Sequence, residues 1–354
     1  MRMLSGFIVI LAAVTVAHSQ PVIDPGSIEG VQGFTHVRAV VGSDAAVMAW
    51  LSGDPFVGGQ IFATYAAAGE NWGPAVQVSG QYSASIGSDG GAGEFSLVRA
   101  SNGAYWLAWS ADTGRRLVVD GVPGGDAGLG YLVHSPDIWV ASSSDGRTWS
   151  APQPVAVAPT PDRDPGIIET TDGRIGVIWV SARDGNEDLS LTFRDSKGEF
   201  GQAVQITSGA SRNHHYELGH VGPKYLNDSR GTLTLAWVSD RTGEPQVWTA
   251  VSSDGRTWSQ PVQVSGVARP EQAQGASSPE AGSGAALAQP RATDVGFLTI
   301  EDLAVGQPAP APNTTPPGYN LYWSVLVGEE ERRWVSHSAD FVAWSEPELA
   351  PQGK

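Results

Sequence analysis

The chain contains no cysteine in 354 residues. That excludes disulfide staples, thiol chemistry, cysteine metal sites and lipid attachment through cysteine. No apolar run is long enough to span a bilayer, since the one from Phe7 to Val16 falls short. Gly-rich nucleotide loops, a serine nucleophile elbow and a zinc-protease histidine pair are all absent, and nothing calls for a cofactor. Sustained helical periodicity is missing as well, which disfavours a helical solenoid. Positive charge is scarce: 21 basic residues stand against 37 acidic ones, a net charge of −16. Long-range repulsion on that scale disfavours nucleic acid and anionic membranes as partners, and leaves anionic ligands only where arginines cluster.

Residues 1–19 read as an export leader. Arg2 supplies the positive end, Phe7 to Val16 the short apolar run, and Ala17-His-Ser19 small residues before an expected cut at Gln20. The expectation is a secreted or periplasmic protein, without membrane insertion, whose single domain occupies 20–354.

What the chain has in abundance is tryptophan, and it is ordered. Of the 13 tryptophans, all but Trp106 fall at equivalent places in one repeat. The five copies are IFATYAAAGENWGPAVQV (61–78), IWVASSSDGRTWSAPQPV (138–155), LSLTFRDSKGEFGQAVQI (189–206), VWTAVSSDGRTWSQPVQV (247–264) and RWVSHSADFVAWSEPELA (333–350). Trp72, Trp149, Phe200, Trp258 and Trp344 close the motif. Trp50, Trp109, Trp179, Trp237 and Trp323 precede the copies. A fixed internal period signals one supersecondary unit used repeatedly.

In Ser143-Ser-Asp-Gly-Arg-Thr-Trp149 and Ser252-Ser-Asp-Gly-Arg-Thr-Trp258, alternating apolar residues stop at Asp-Gly and resume after Trp-Ser. Asp-Gly there is a hairpin turn, with Gly at positive φ and Asp accepting bonds from turn N–H groups. The Trp is expected to be buried beneath the hairpin. Asp145, Asp254 and Asp340 are therefore structural; Ala68 and Ser196 replace them in the first and third copies. Two further strands precede each motif. In the third unit they are 167–170 and 175–181 around the turn Asp172-Gly173, followed by 189–193. Four short antiparallel strands per unit, A to D, make the expected fold an all-β propeller of five blades, with six as the alternative. The Pro/Ala/Gly/Ser-rich stretches near 268–289 and 306–317 are expected as poorly ordered loops.

The Ser-x-Asp-Gly-x-Thr-Trp motif resembles the Asp-box (BNR repeat) of sialidase-like β-propellers, over all five repeats. The motif is specific for the fold rather than the reaction. The fifth copy lacks the Gly, and the copies are one residue shorter between Asp and Trp than the commonest spacing. Asp turns and A–B turns share one end of the blades, which directs the search for a site to the B–C and D–A end. There the second unit carries an insertion within 111–136 containing Arg115, Arg116, Tyr131 and His134, read either as a Gly-rich loop or as a lid.

The resemblance implies arginines for a sugar carboxylate and an acid/base Asp. Arg163-Asp-Pro165, Ser181-Ala-Arg183 and Asp188 in the third unit match that pattern, with Asp164 departing from it. The fourth unit repeats the second arginine as Ser239-Asp-Arg241. Arg212 beside Tyr216-Glu217 would supply a further arginine and a carboxylate-activated tyrosine, although adjacent residues on one strand point to opposite sides. The implied catalytic set is Asp188, Tyr216 and Glu217, and the substrate-binding set Arg163, Arg183, Arg241 and Arg212. Arginine forks suit carboxylates, and a carboxyl group in an apolar cleft can hold a proton near neutrality. The alternative is that each arginine pairs with a nearby carboxylate and ties loops together. His214, His215 and His220 read as a polar loop rather than a metal site. The implied function is an exported protein acting on or binding glycans, in its finer form an exo-sialidase type glycoside hydrolase. The alternative is a non-catalytic propeller that docks a glycan or a protein partner.

Overall fold

The computed structural model describes residues 34–54, 58–82, 95–119, 131–182, 187–208, 224–227, 231–239, 241–242, 246–265, 297–305, 319–327 and 330–350. The expected leader at 1–19 and the stretches 268–289 and 306–317 lie outside them. Regular structure among the described residues is entirely β, and no helix there is long and apolar enough to cross a membrane. The chain divides into two compact units, 1–208 and 209–354.

The first unit holds three four-stranded antiparallel sheets, each made of consecutive strands in sequence order. The first is β1 (Phe34–Val41), β2 (Ala45–Asp54), β3 (Gly58–Ala67) and β4 (Val76–Gln77). The second is β5 (Phe95–Arg99), β6 (Tyr105–Val119), β7 (Tyr131–Ser143) and β8 (Gln153–Ala156). The third is β9 (Asp162–Glu169), β10 (Ile175–Ser181), β11 (Asp188–Phe193) and β12 (Val204–Gln205). The second unit holds two more of the same pattern. They are β13 (Lys224–Asn227), β14 (Leu233–Ser239), β15 (Gln246–Ser252) and β16 (Val262–Gln263), then β17 (Phe297–Val305), β18 (Tyr319–Val327), β19 (Glu330–Ser338) and β20 (Glu348–Leu349). The five sequence copies are thus the third and fourth strands of successive sheets.

The tryptophans of the second strands explain the packing. Trp50, Trp109, Trp179, Trp237 and Trp323 are all buried. In four sheets an aromatic residue lies directly across on the third strand: Phe62, Trp139, Trp248 and Trp334. In the third sheet that place is taken by Ser190. Neighbouring sheets close over three of these rings, Trp109, Trp179 and Trp323. Leu51 and Ile61 pack with Phe95, Trp109 and Trp139, and Ile138 and Val140 pack with Ile167 and Trp179. In the second unit Ala236 and Val247 meet Leu321 and Trp323. Burying one such indole removes about 200 Å² from water, worth roughly 5 kcal/mol as an upper bound. Trp106, outside the repeat pattern, is buried between the second and third sheets under the Arg194 guanidinium.

The Asp turns are built as expected. Asp145 Oδ1 accepts from the N–H groups of Arg147 and Thr148, each at 2.8 Å, and Asp254 Oδ1 from Arg256 and Thr257, each at 2.7 Å. Asp340 does the same for Val342 and Ala343 at 2.9 Å. These backbone donors, that of Thr148 or Thr257 first, hold the Asp145 and Asp254 carboxyls down at about 2. The third turn keeps its carboxylate one residue earlier than the alignment placed it: Asp195 caps the N–H groups of Lys197 and Glu199 while Ser196 stands aside. The motif tryptophans Trp72, Trp149, Trp258 and Trp344 are half-buried rather than buried.

Turns also fasten sheets together. A Cβ on Gly146 (φ 72°) would come within 2.6 Å of Val47 Cγ2 and 2.7 Å of Tyr65 Cδ2, so the second sheet's turn sits against the first sheet. Arg99 bridges to Asp44 at 2.6 and 2.8 Å, which holds the Asp44 carboxyl down at about 2. Glu169 accepts from the Ser101 N–H and hydroxyl.

The insertion within 111–136 continues β6 and β7 as a two-stranded ribbon. Pairing runs from Tyr105–Ser143 out to Val119–Tyr131, with a register break between Asp112 and Arg116. Residues 111–119 and 131–136 thus form a β-arm, and the Gly-rich stretch 120–130 lies outside the described residues.

Candidate functional site

One end of the third sheet gathers ionisable side chains. Antiparallel order brings the start of β9, the end of β10 and the start of β11 side by side. Ser181 is in register with both Asp162 and Asp188, so these three lie in one row on one face, together with Trp179 two residues back. All four are buried. Asp162 Oδ1 accepts from Trp179 Nε1 at 3.0 Å. Among the described residues the Ser181 hydroxyl has no hydrogen-bond partner.

Strand β9 reaches further back than the sequence indicated, to Asp162 rather than Ile167. It does so through a bulge: Asp164 and Pro165 together face Trp179, with Arg163 opposite Val180 and Gly166 opposite Ile178. The bulge leaves Pro165, which has no N–H, outside the ladder. It also puts Asp164 at φ 54°, a left-handed conformation that costs a residue with a Cβ roughly 1–2 kcal/mol. Adjacent side chains on a regular strand point apart; here Arg163 Nη1 bonds Asp164 Oδ2 at 3.0 Å. Arg163 Nη2 bonds Glu187 Oε2, from just before β11. The Arg163 side chain is only 14% exposed.

Asp188 has a position shared around the repeat. Its Oδ1 accepts from Thr207 Oγ1 at 2.7 Å and its Oδ2 from Gln205 Nε2 at 2.9 Å; Thr207 Oγ1 in turn accepts from Leu189 N–H at 2.9 Å. In the first sheet Gln60 accepts from Ser79 at 2.5 Å, and in the fourth Gln246 accepts from Ser265 at 2.8 Å, each with the same hydroxyl-to-backbone bond. At the equivalent place in the second sheet, Asp137 accepts from the Ala158 N–H at 3.0 Å. In these four sheets the residue before the repeat copy thus ties the third strand to the chain leaving the fourth. Reading the repeat one position further back, where Gln60, Asp137, Asp188 and Gln246 align, carries that signal in the sequence.

Of the other expected site residues, Arg241 lies in the second unit, just after β14. Its guanidinium sits 5.0 Å from the Trp248 ring and 5.8 Å from Trp237, with Nε bonded to Ser239 Oγ at 3.3 Å. Arg183, Arg212, Tyr216 and Glu217 lie outside the described residues, as do His214, His215 and His220. Among the described residues no group of three His, Asp or Glu side chains is placed to hold a metal ion. The sequence reading missed Asp162 as a member of this site, and Glu187 as the partner of Arg163.

No protein-family model matches the chain, and no curated protein is similar to it in sequence. Solved structures are similar in fold. A sialidase from Streptococcus pneumoniae, in complex with 2-[(3-chlorobenzyl)ammonio]ethanesulfonate, superposes with a TM-score of 0.52 at 10% identity over 94% of this chain. This chain spans 63% of that sialidase. The α-L-arabinofuranosidase of Fusarium graminearum bound to arabinobiose gives a TM-score of 0.51 at 13% identity, covering 90% of this chain and 82% of that one. The α-L-arabinanase of Penicillium chrysogenum, also with arabinobiose, gives 0.50 at 13%, covering 90% and 81%. All three are β-propeller glycoside hydrolases. What the chain shares with them is the fold, a succession of four-stranded antiparallel sheets.

Proposed function

We propose that this chain is an exported five-bladed propeller that acts on or binds glycans at the end of the sheets opposite the Asp turns. The observation that carries the reading is the gathering of Asp162, Arg163, Asp164, Ser181, Glu187 and Asp188 at that end of the third sheet. Carboxylates and hydroxyls accept from sugar hydroxyls, and a carboxyl pair is what general acid and base catalysis of glycosidic cleavage needs. The fold likeness to propeller glycosidases supports the same reading, as does the Asp-box resemblance of the repeats. Export rests on the character of residues 1–19 alone.

An exo-sialidase is the finer form that the motif resemblance implies. It requires arginines open to the sugar carboxylate. A second reading, a non-catalytic glycan-binding propeller, is favoured by one observation: both Asp188 oxygens serve the strand tie that neutral glutamines make in the first and fourth sheets. Incubating the protein with neutral and sialylated oligosaccharides, and measuring reducing-sugar and free sialic acid release, separates the two. Release that Glu187→Gln or Asp162→Asn abolishes supports an enzyme. Binding without release supports the second reading, and neither binding nor release rejects the glycan proposal.

A further inference from the structure

Resting on the glycan reading, we infer that the third-sheet site selects uncharged sugars and rejects sugar acids. An arginine recognises a carboxylate by offering parallel N–H donors together with surplus positive charge. Arg163 has both committed within the protein: Nη1 to Asp164 Oδ2 at 3.0 Å and Nη2 to Glu187. Two carboxylates on one guanidinium leave the trio net negative. From the row on the other face of the same strand ends, Asp188 adds a buried carboxylate whose hydrogen bonds come from the neutral groups of Thr207 and Gln205. Asp162 adds another, bonded to the Trp179 indole.

The lock on Arg163 is part of the backbone. In a regular strand residues 163 and 164 would point to opposite faces; the left-handed Asp164 in the bulge brings the two together. The side chains of Arg163, Asp164 and Glu187 are 14%, 12% and 21% exposed, so bulk salt screens them little. Among the described residues, a sugar carboxylate reaching this end meets like charge. A neutral sugar presents hydroxyl donors, which carboxylates accept.

The test uses the full chain on an oligosaccharide array in which each neutral glycan is printed beside its sialylated or uronic-acid-capped counterpart, with titration calorimetry on the hits. Neutral members are expected to bind at least about tenfold more tightly than their acidic partners. The Asp164→Asn/Glu187→Gln double variant frees Arg163, and Asn tolerates the left-handed backbone. It should regain about tenfold in binding of the acidic partners. Acidic members binding as well as neutral ones overturns the inference and leaves the glycan reading standing. A neutral preference that the double variant leaves unchanged overturns Arg163 as its cause. Binding of no array member removes the glycan reading and this inference together. Should the double variant lose its β-sheet circular dichroism, Glu187→Gln alone serves, with the same expected direction.

Discussion

Phe341 occupies in the fifth turn the position that Gly146 holds in the second, with the same sense of backbone twist: φ is 64° at the phenylalanine and 72° at the glycine. Where Gly146 lies tight against Val47 and Tyr65, Phe341 is fully buried and stacked on Tyr319 at 3.6 Å between ring centroids. The same turn therefore tolerates two opposite solutions, an absent side chain and a large one used as a wedge.

Phe341→Gly should relieve roughly 1–2 kcal/mol of left-handed strain and lose about 3–5 kcal/mol of packing, so the net effect is destabilising. Urea unfolding followed by tryptophan fluorescence measures it. A variant as stable as the parent would mean that the wedge contributes nothing.

Gly146→Ala should destabilise by about 1–3 kcal/mol, because the new Cβ strikes Val47 and Tyr65 and the backbone favours glycine. Gly173→Ala is the control: it shares the positive φ, 78°, but a Cβ there meets nothing within 4 Å. The first substitution is expected to lower the melting temperature distinctly more than the second. Equal effects would assign the whole cost to backbone conformation.

The turn carboxylates make stability fall with acid. Asp145 and Asp254 are held down at about 2 in the folded chain, against about 3.9 for a free Asp. A depressed folded value means the contribution is complete above pH 4 and is lost as pH drops from there to about 2. Both groups are exposed, so the size follows that of a side-chain cap, about 1 kcal/mol each, rather than the full shift. Melting curves between pH 5 and 2 should be shallower for Asp254→Ala than for the parent. Parallel curves would argue against the turn as the titrating element.

Asp188→Asn should keep both the fold and any sugar release, since Gln60 and Gln246 perform the same strand tie as neutral amides. Asp188→Ala should cost about 1–3 kcal/mol through the buried Thr207 and Gln205 groups it strands. If instead Asp188→Asn melts normally and loses more than about a hundredfold in rate, Asp188 belongs to the chemistry.

The repeat was legible because its signals are local: Asp-Gly marks a turn whatever surrounds it, and tryptophan spacing survives divergence. The Asp195 cap was not, because a gapless alignment puts Ser196 at the carboxylate position. The Arg163–Glu187 pair joins residues 24 apart, and only the order β9-β10-β11 makes them neighbours. Placing Arg163 beside Asp164 needs the bulge at Pro165, which no alternation of residues announces. Arg241, just after β14, lies among the Trp237 and Trp248 rings, which sequence spacing alone does not bring together.

Each sheet draws its four strands from one unbroken stretch of chain, with no strand borrowed from a distant segment. Contacts within a sheet are therefore close in sequence for an all-β protein, so loop-closure entropy is met in small instalments and folding should run faster than in a sandwich of equal size. A nascent chain can finish one sheet before the next has been synthesised. The half-made protein then already holds whole sheets, each waiting only for a neighbour to cover its tryptophan.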